Sequence, residues 1–267
     1  MNILVTGASR GMGLNHVKIL SLNKKNKILI TDISNLASKV FSKNEEKLLN
    51  KILSQNNVSI VYGDLNKKKD LDIIISKTKS FFKSKLDAII CNAGGDIPGK
   101  SLSGYADQAK INDYMIDTAT FKEIFERNFH TTFNTLKKII PIMKKNKSGK
   151  IITISSINAI FDSTNEFAYS IAKNSIIKFT KILARDLKKF NIQVNCLCPG
   201  PTFTTRFKHT LGQRKKNESS LINKKKGFDR VATMDEISNI INFLLSKDAE
   251  IITGQVIVAD LGVSIGK

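Results

Sequence analysis

The sequence predicts an α/β fold, a single doubly wound domain built on a parallel seven-stranded sheet. Three observations predict it. Short β-branched runs alternate with longer segments of helical period along all 267 residues, the pattern of a parallel sheet covered by helices on both faces. No internal repeat, Pro-rich linker or shift in composition divides the chain, so residues 1–267 read as one unit. The first strand also runs straight into a glycine-rich turn.

"NILVT" (2–6), "KILIT" (27–31), "VSIVY" (58–62), "LDAIIC" (86–91), "KIITIS" (150–155), "IQVNCLC" (192–198) and "GQVIVA" (254–259) have the length and residue types of buried strands. Segments such as 11–23, 67–83, 119–145 and 168–190 carry helical periodicity between them. Two stretches break the rhythm, 93–118 and 199–232. Both follow strands, where loops of an open α/β sheet border the ligand crevice, so they read as an insertion or lid loop and a substrate loop.

Composition narrows the function classes. The formal charge is +20, but only six of the 43 basic residues are arginine and the lysines are spread along the whole chain. With abundant Asn and Ile, this is a compositional bias that coats solvated faces, and it predicts no nucleic-acid partner. Cys91, Cys196 and Cys198 lie in apolar runs and read as reduced, buried thiols without a metal, in a cytoplasmic protein. "MNILVTG" shows no basic leader, and no apolar run reaches bilayer-spanning length, so neither secretion nor a membrane is expected.

The chemistry begins at "TGASRGMG" (6–13), spaced Gly-x-x-x-Gly-x-Gly. Gly7, Gly11 and Gly13 would let the backbone turn tightly and approach a pyrophosphate at a helix N-terminus. Asp32 ends the second strand, nineteen residues beyond Gly13. A carboxylate there accepts hydrogen bonds from an adenosine ribose and repels a 2′-phosphate, which favours NAD. Arg10, inside the glycine loop, is the group that could meet a 2′-phosphate and so admit NADP. "GDLN" (63–66) ends the third strand with Asp64 and Leu65 where an adenine could lie. "CNAGG" ends the fourth, where Asn92, Ala93 and Gly94 would let backbone approach the cofactor.

The fifth strand closes with "ITISS"; Tyr169 stands thirteen residues after Ser156, and Lys173 follows one helical turn later. With the glycine motif, the Asn-Ala-Gly turn, Asn128, "PGPTFT" and "EIITGQVIVAD", this order resembles the short-chain dehydrogenase/reductase family over roughly residues 1 to 262. The resemblance implies a Rossmann fold and an NAD(P)-dependent oxidoreductase interconverting a secondary alcohol and a ketone. It makes Tyr169 the general acid/base and gives Lys173 two tasks: supplying positive charge and holding the nicotinamide ribose. Ser156 would donate to the substrate oxygen, and Asn128 would help hold a water chain. Ser155 is the rival to Ser156, but strand alternation and the family spacing favour Ser156. The resemblance adds Ser9, Met12, Pro199, Gly200, Thr202 and Thr204 to the cofactor contacts, Thr204 at the carboxamide. It also implies a homotetramer or homodimer formed through 119–145 and 168–190.

The chain departs from the family pattern in three places. The interval from Asn92 to Asn128 is long, Asn15 stands where alanine is frequent, and "ADLG" replaces an Asp-Gly-Gly ending. Two other functions share the architecture: an NADPH-dependent 3-oxoacyl-thioester (acyl-carrier-protein) reductase, which Asp32 opposes, and a non-catalytic dinucleotide sensor or scaffold, which has no need of the Asn-Ser-Tyr-Lys set. From Arg206 to Arg230 the substrate loop holds nine basic residues (Arg206, Lys208, Arg214, Lys215, Lys216, Lys224, Lys225, Lys226, Arg230) against Glu218 and Asp229. That excess suggests an anionic small-molecule substrate, with Arg206 as its contact.

Overall fold

Alternation along the strands sorts the core into two layers. In a computed structural model describing residues 1–36, 43–95, 114–161, 166–209 and 227–265, Ile3 and Val5 of β1 (Asn2–Thr6) face one layer and Leu4 faces the other. The first layer is covered by α1 (Gly11–Leu20), α2 (Lys43–Leu53) and α8 (Met234–Leu245). The second is covered by α3 (Lys68–Phe82), α5 (Thr131–Asn146) and α6 (Phe167–Leu187). Ile3, Leu4, Val5, Ile89 and Ile90 are fully enclosed. Burial of such side chains contributes roughly 1.5–3 kcal/mol apiece.

The sheet has seven parallel strands in the order β3-β2-β1-β4-β5-β6-β7. Here β2 is Lys27–Asp32, β3 Val58–Tyr62, β4 Ala88–Cys91, β5 Gly149–Ile154, β6 Ile192–Pro199 and β7 Val256–Ala259. Strand order reverses between β1 and β4, and ligands of open α/β sheets bind beyond the strand ends at that point. All seven sequence-predicted strands are present, β1 and β3 with the predicted ends and the other five with ends shifted. β7 starts at Val256 because Gly254, at φ +75°, turns the chain first.

The helix expected over 119–145 forms as α4 (Thr118–Phe125), a π turn (Glu126–His130) and α5. Such wide turns recur at functional sites, and this one carries Asn128. α6 gives way to a short 3₁₀ turn, Lys188–Phe190, before Asn191 ends it in the left-handed region. Helices α2 and α8 are additional to those expected from the sequence periodicity. The start of α8 is a capping box, Thr233 and Glu236 each bonding the other's backbone N–H.

Both irregular stretches are anchored at their bases. Asp117 caps α4 by accepting the Thr120 N–H at 2.9 Å. The 199–232 loop is pinched at its neck, where Phe203 N donates to Ala232 O at 2.8 Å and Ala232 N to Pro201 O at 3.0 Å. The bodies of the expected lid and substrate loops, 96–113 and 210–226, lie outside the described residues, with Arg214, Lys215, Lys216, Glu218, Lys224, Lys225 and Lys226.

Cys91, Cys196 and Cys198 are buried free thiols, and burial pushes the Cys91 thiol up. Among the described residues no helix is long and apolar enough to cross a membrane.

Candidate active site

The site begins where β1 and β4 end side by side. Thr6 Oγ1 accepts the N–H groups of Asn92 and Ala93, both at 3.1 Å, and Asn92 Nδ2 donates to Gly7 O at 2.8 Å. This stitching draws the glycine loop onto the Asn-Ala-Gly turn. A Cβ on Gly7, at φ +61°, would stand 2.7 Å from Ala93 Cα. A Cβ on Gly13 would run into Gly7 O and stand 2.6 Å from Asn92 Nδ2. Two glycines are therefore demanded by close approach, and a third, Gly11, by a φ of +55°.

Gly11 opens α1, which has no side-chain cap and no acidic residue in its first turn. Its first N–H groups need an acceptor from elsewhere. Glu45 of α2 is one: Oε1 accepts Gly11 N at 3.0 Å and Thr205 Oγ1 at 2.9 Å. Sequence reasoning missed both residues, since nothing local links Glu45 to a loop thirty-four positions away. Met12 packs against the first core layer.

Asp32 ends β2 with its carboxylate turned onto the glycine loop. Oδ2 accepts Ser9 N at 2.9 Å and Ser9 Oγ at 2.6 Å, and Oδ1 accepts Ile33 N at 2.8 Å. Arg10 lies within electrostatic reach of Asp32, Glu45, Arg206 and Arg127. Burial lowers the Arg10 pKa below its ordinary value, and Asp32 opposes that shift. Asp64 shapes its own turn by accepting Asn66 N at 2.9 Å, and Leu65 is buried in the second core layer.

The Ser-Tyr-Lys residues gather at the end of β5. Ser156 caps the 3₁₀ turn Ile157–Ala159, while Ser155 is buried with Oγ donating to Lys173 O at 2.8 Å. Tyr169 and Lys173 occupy the first two turns of α6. Lys173 is only 4% exposed, and its Nζ donates to Ile154 O at 3.0 Å and stands 5.6 Å from the Tyr169 ring centroid. A buried ammonium is costly unless hydrogen-bonded; that carbonyl is one acceptor. Asn128 is fully enclosed in the π turn, where Nδ2 donates to Gly95 O and Ile124 O, both at 2.8 Å, and Oδ1 accepts Gly95 N at 2.9 Å. A Cβ on Gly94 would stand 2.8 Å from Asn128 Oδ1 and 3.2 Å from Lys173 Nζ. The ends of β4 and β5, the π turn and α6 thus converge on one point.

The chain after β6 flanks that point. Pro199 ends the strand, Gly200 lies so close to Asp260 that a Cβ would come within 2.5 Å of its Cβ, and Thr202 donates to Gly200 O at 2.9 Å. Thr204 Oγ1 accepts Phe207 N at 3.0 Å, at the start of α7 (Thr205–His209). Arg206 reaches back to the turn after β4, its Nη1 2.5 Å from where a Gly95 Cβ would sit. The other described basic residues of this loop serve structure. Arg230 forms a forked pair with Glu236, and Lys208 Nζ lies 4.7 Å over the Phe203 ring. The loop's basic count therefore overstates the charge available to a ligand.

The profile of a family described as "Enoyl-(Acyl carrier protein) reductase" matches residues 7–264. The chain belongs to the short-chain dehydrogenase/reductase family. As a member it is an oxidoreductase acting on CH–OH groups, of a family that binds NAD(P). A 3-oxoacyl-[acyl-carrier-protein] reductase, FabG, of Buchnera aphidicola subsp. Baizongia pistaciae is 32% identical over 257 residues, covering 95% of this chain and 93% of the relative. The 7alpha-hydroxysteroid dehydrogenase of Bacteroides fragilis is 27% identical over 263 residues, covering 98% and 94%. Among solved structures, a 7 alpha-hydroxysteroid dehydrogenase complexed with NADH and 7-oxo glycochenodeoxycholic acid superposes with a TM-score of 0.81 at 22% identity, covering 98% of this chain and 93% of that one.

Proposed function

We propose that this short-chain dehydrogenase/reductase interconverts a secondary alcohol and a ketone, preferring NAD, with Tyr169 as general acid/base. The observation that carries the reading is the buried Lys173 ammonium beside Tyr169, at the point where Gly94 and Asn128 also meet. A tyrosine has an unperturbed pKa of about 10, and a fixed positive charge at short range favours its phenolate. Ser156 donates to the substrate oxygen; Ser155 is turned into the core, which supports that choice. When bound, the nicotinamide dinucleotide supplies or accepts the hydride. The glycine cradle, the Gly11 N–H and the Asp32 tip fit such a group. Asn128 holds Gly95 through both its N–H and its C=O, so the wall beside Lys173 is rigid. Assaying NAD and NADP with polyols, hydroxy acids and hydroxyacyl thioesters tests the function; no turnover with any secondary alcohol or ketone would sink it.

The cofactor preference rests on Asp32. Asp32→Ser is expected to raise the ratio of NADP to NAD kcat/KM by about tenfold, because like charges at short range cost on the order of 1–4 kcal/mol near a protein surface. A wild type already preferring NADP would mean that Arg10 dominates. The second reading, a 3-oxoacyl-thioester reductase, is favoured by the Buchnera relative and opposed by Asp32.

The substrate is proposed to be anionic, with Arg206 as its contact. Arg206→Ala should lower kcat/KM for an anionic alcohol about tenfold more than for its neutral counterpart, as loss of one charge-assisted contact implies. Equal losses would make the loop charge background. Association as a tetramer or dimer is proposed through α4, α5 and α6, where Phe133, Ile171 and Ile182 are exposed apolar side chains. The buried free thiols support a reducing, cytoplasmic setting.

A further inference from the structure

Helix α2 turns three residues at helical spacing toward the core: Glu45, Leu49 and Ile52. Leu49 and Ile52 belong there by chemistry, packing into the layer shared with α1. Glu45 does not. Its residue is only 8% exposed, an unusual setting for a carboxylate. One oxygen bridges Gly11 N, the first amide of α1, and the Thr205 hydroxyl at the start of α7. The other, Oε2, is buried with no hydrogen-bond partner among the described residues. Arg10 lies within electrostatic reach.

These are the surroundings of a bound anion: a helix N-terminus without its own cap, a hydroxyl donor and a nearby guanidinium. The fit is incomplete, because a carboxylate leaves one oxygen unserved there. A diphosphate carries more negative charge than a carboxylate and so has the stronger claim on the same amide and guanidinium. We propose that Glu45 is an internal competitor for the diphosphate of the dinucleotide, occupying its place on the Gly11 amide until the cofactor displaces it. Displacement also breaks the bond to Thr205, so cofactor entry frees α7, and Arg206 with it, from α2. This rests on the dinucleotide-dependent reading above.

Competition of this kind weakens apparent affinity by the fraction of molecules in which the site is open, so a tenth open means about a tenfold weaker Kd. The test is titration of NADH and NADPH fluorescence on the full chain, comparing wild type with Glu45→Ala and Glu45→Gln, with thermal melts to verify folding. Both variants should tighten binding, about five- to tenfold for Ala and less for Gln, whose amide oxygen still accepts but carries no charge. The factor should be similar for the two dinucleotides, which share the diphosphate. Glu46→Gln, removing the adjacent charge from α2, should leave Kd unchanged. Unchanged or weaker binding in folded Glu45 variants overturns the inference, as does failure of both to fold, which would make Glu45 a structural support. A gain confined to NADPH would put Glu45 against the 2′-phosphate through Arg10 instead, and a gain in Glu46→Gln would reduce the effect to net charge. If no form binds either dinucleotide, the underlying reading fails and the inference with it.

Discussion

Replacing Tyr169 with phenylalanine is expected to lower kcat by about 10²–10⁴-fold, the range general acid/base groups contribute, while NADH affinity stays near wild type. The phenol oxygen is the only atom removed, and the ring keeps its packing beside Lys173. Lys173→Met behaves differently, because the ammonium is proposed both to favour the phenolate and to hold the nicotinamide ribose. It should lose turnover and dinucleotide affinity together. It also deletes the donor to Ile154 O, leaving that carbonyl short of a partner, so a lower Tm is expected. Pre-steady-state turnover and NADH titration separate the two effects. Near-normal turnover in folded Tyr169→Phe would end the proposed mechanism.

The parts of this site that were legible in the sequence are those fixed by local spacing. Tyr169 and Lys173 share a helix face because they are four apart, and Gly7, Gly11 and Gly13 follow a strand at intervals that only a tight turn explains. β1, β2, β4, β5 and β6 were legible because they are buried on both faces and rich in apolar, β-branched residues; the edge strands β3 and β7, only partly buried, were legible from their β-branched residues alone. The contacts that depend on distant chain segments were not legible. Glu45 meets Gly11 and Thr205 only because α2 docks on α1, and its own surroundings, "KNEEKLL", read as an ordinary charged helix start. The capping box of Thr233 and Glu236 could have been found, since T-x-x-E before an apolar run is a known helix start; the forked pair from Arg230 that accompanies it could not. That pair matters for function, because it removes one of the three arginines counted toward an anionic substrate. Asp32 was read as an arbiter of cofactor choice, but in the fold it also clamps Ser9, so its replacement loosens the loop as well as the charge.

His16 carries the second large effect, on stability against pH. It is fully enclosed where α1 meets α8, with Nδ1 2.8 Å from Ser238 Oγ and Nε2 without a partner among the described residues. Burial pushes its pKa down from 6.5 to about 3. Protonation would put a charge, and an N–H with no acceptor, inside the first core layer. Below about pH 6.5 the unfolded chain binds a proton at this residue that the folded chain refuses, so stability falls as pH drops, until the folded pKa is reached near 3. The slope is about 1.4 kcal/mol per pH unit. Between pH 6.5 and 4.5 the loss due to His16 alone amounts to roughly 2–3 kcal/mol, about a hundredfold in the folding equilibrium. His16→Gln should flatten that decline while starting from a lower stability at pH 7.5, where it gives up well-packed ring contacts. Urea melts at pH 7.5, 6.5, 5.5 and 4.5 make the comparison. Parallel stability curves for the two proteins would mean that His16 charges in the folded state without penalty.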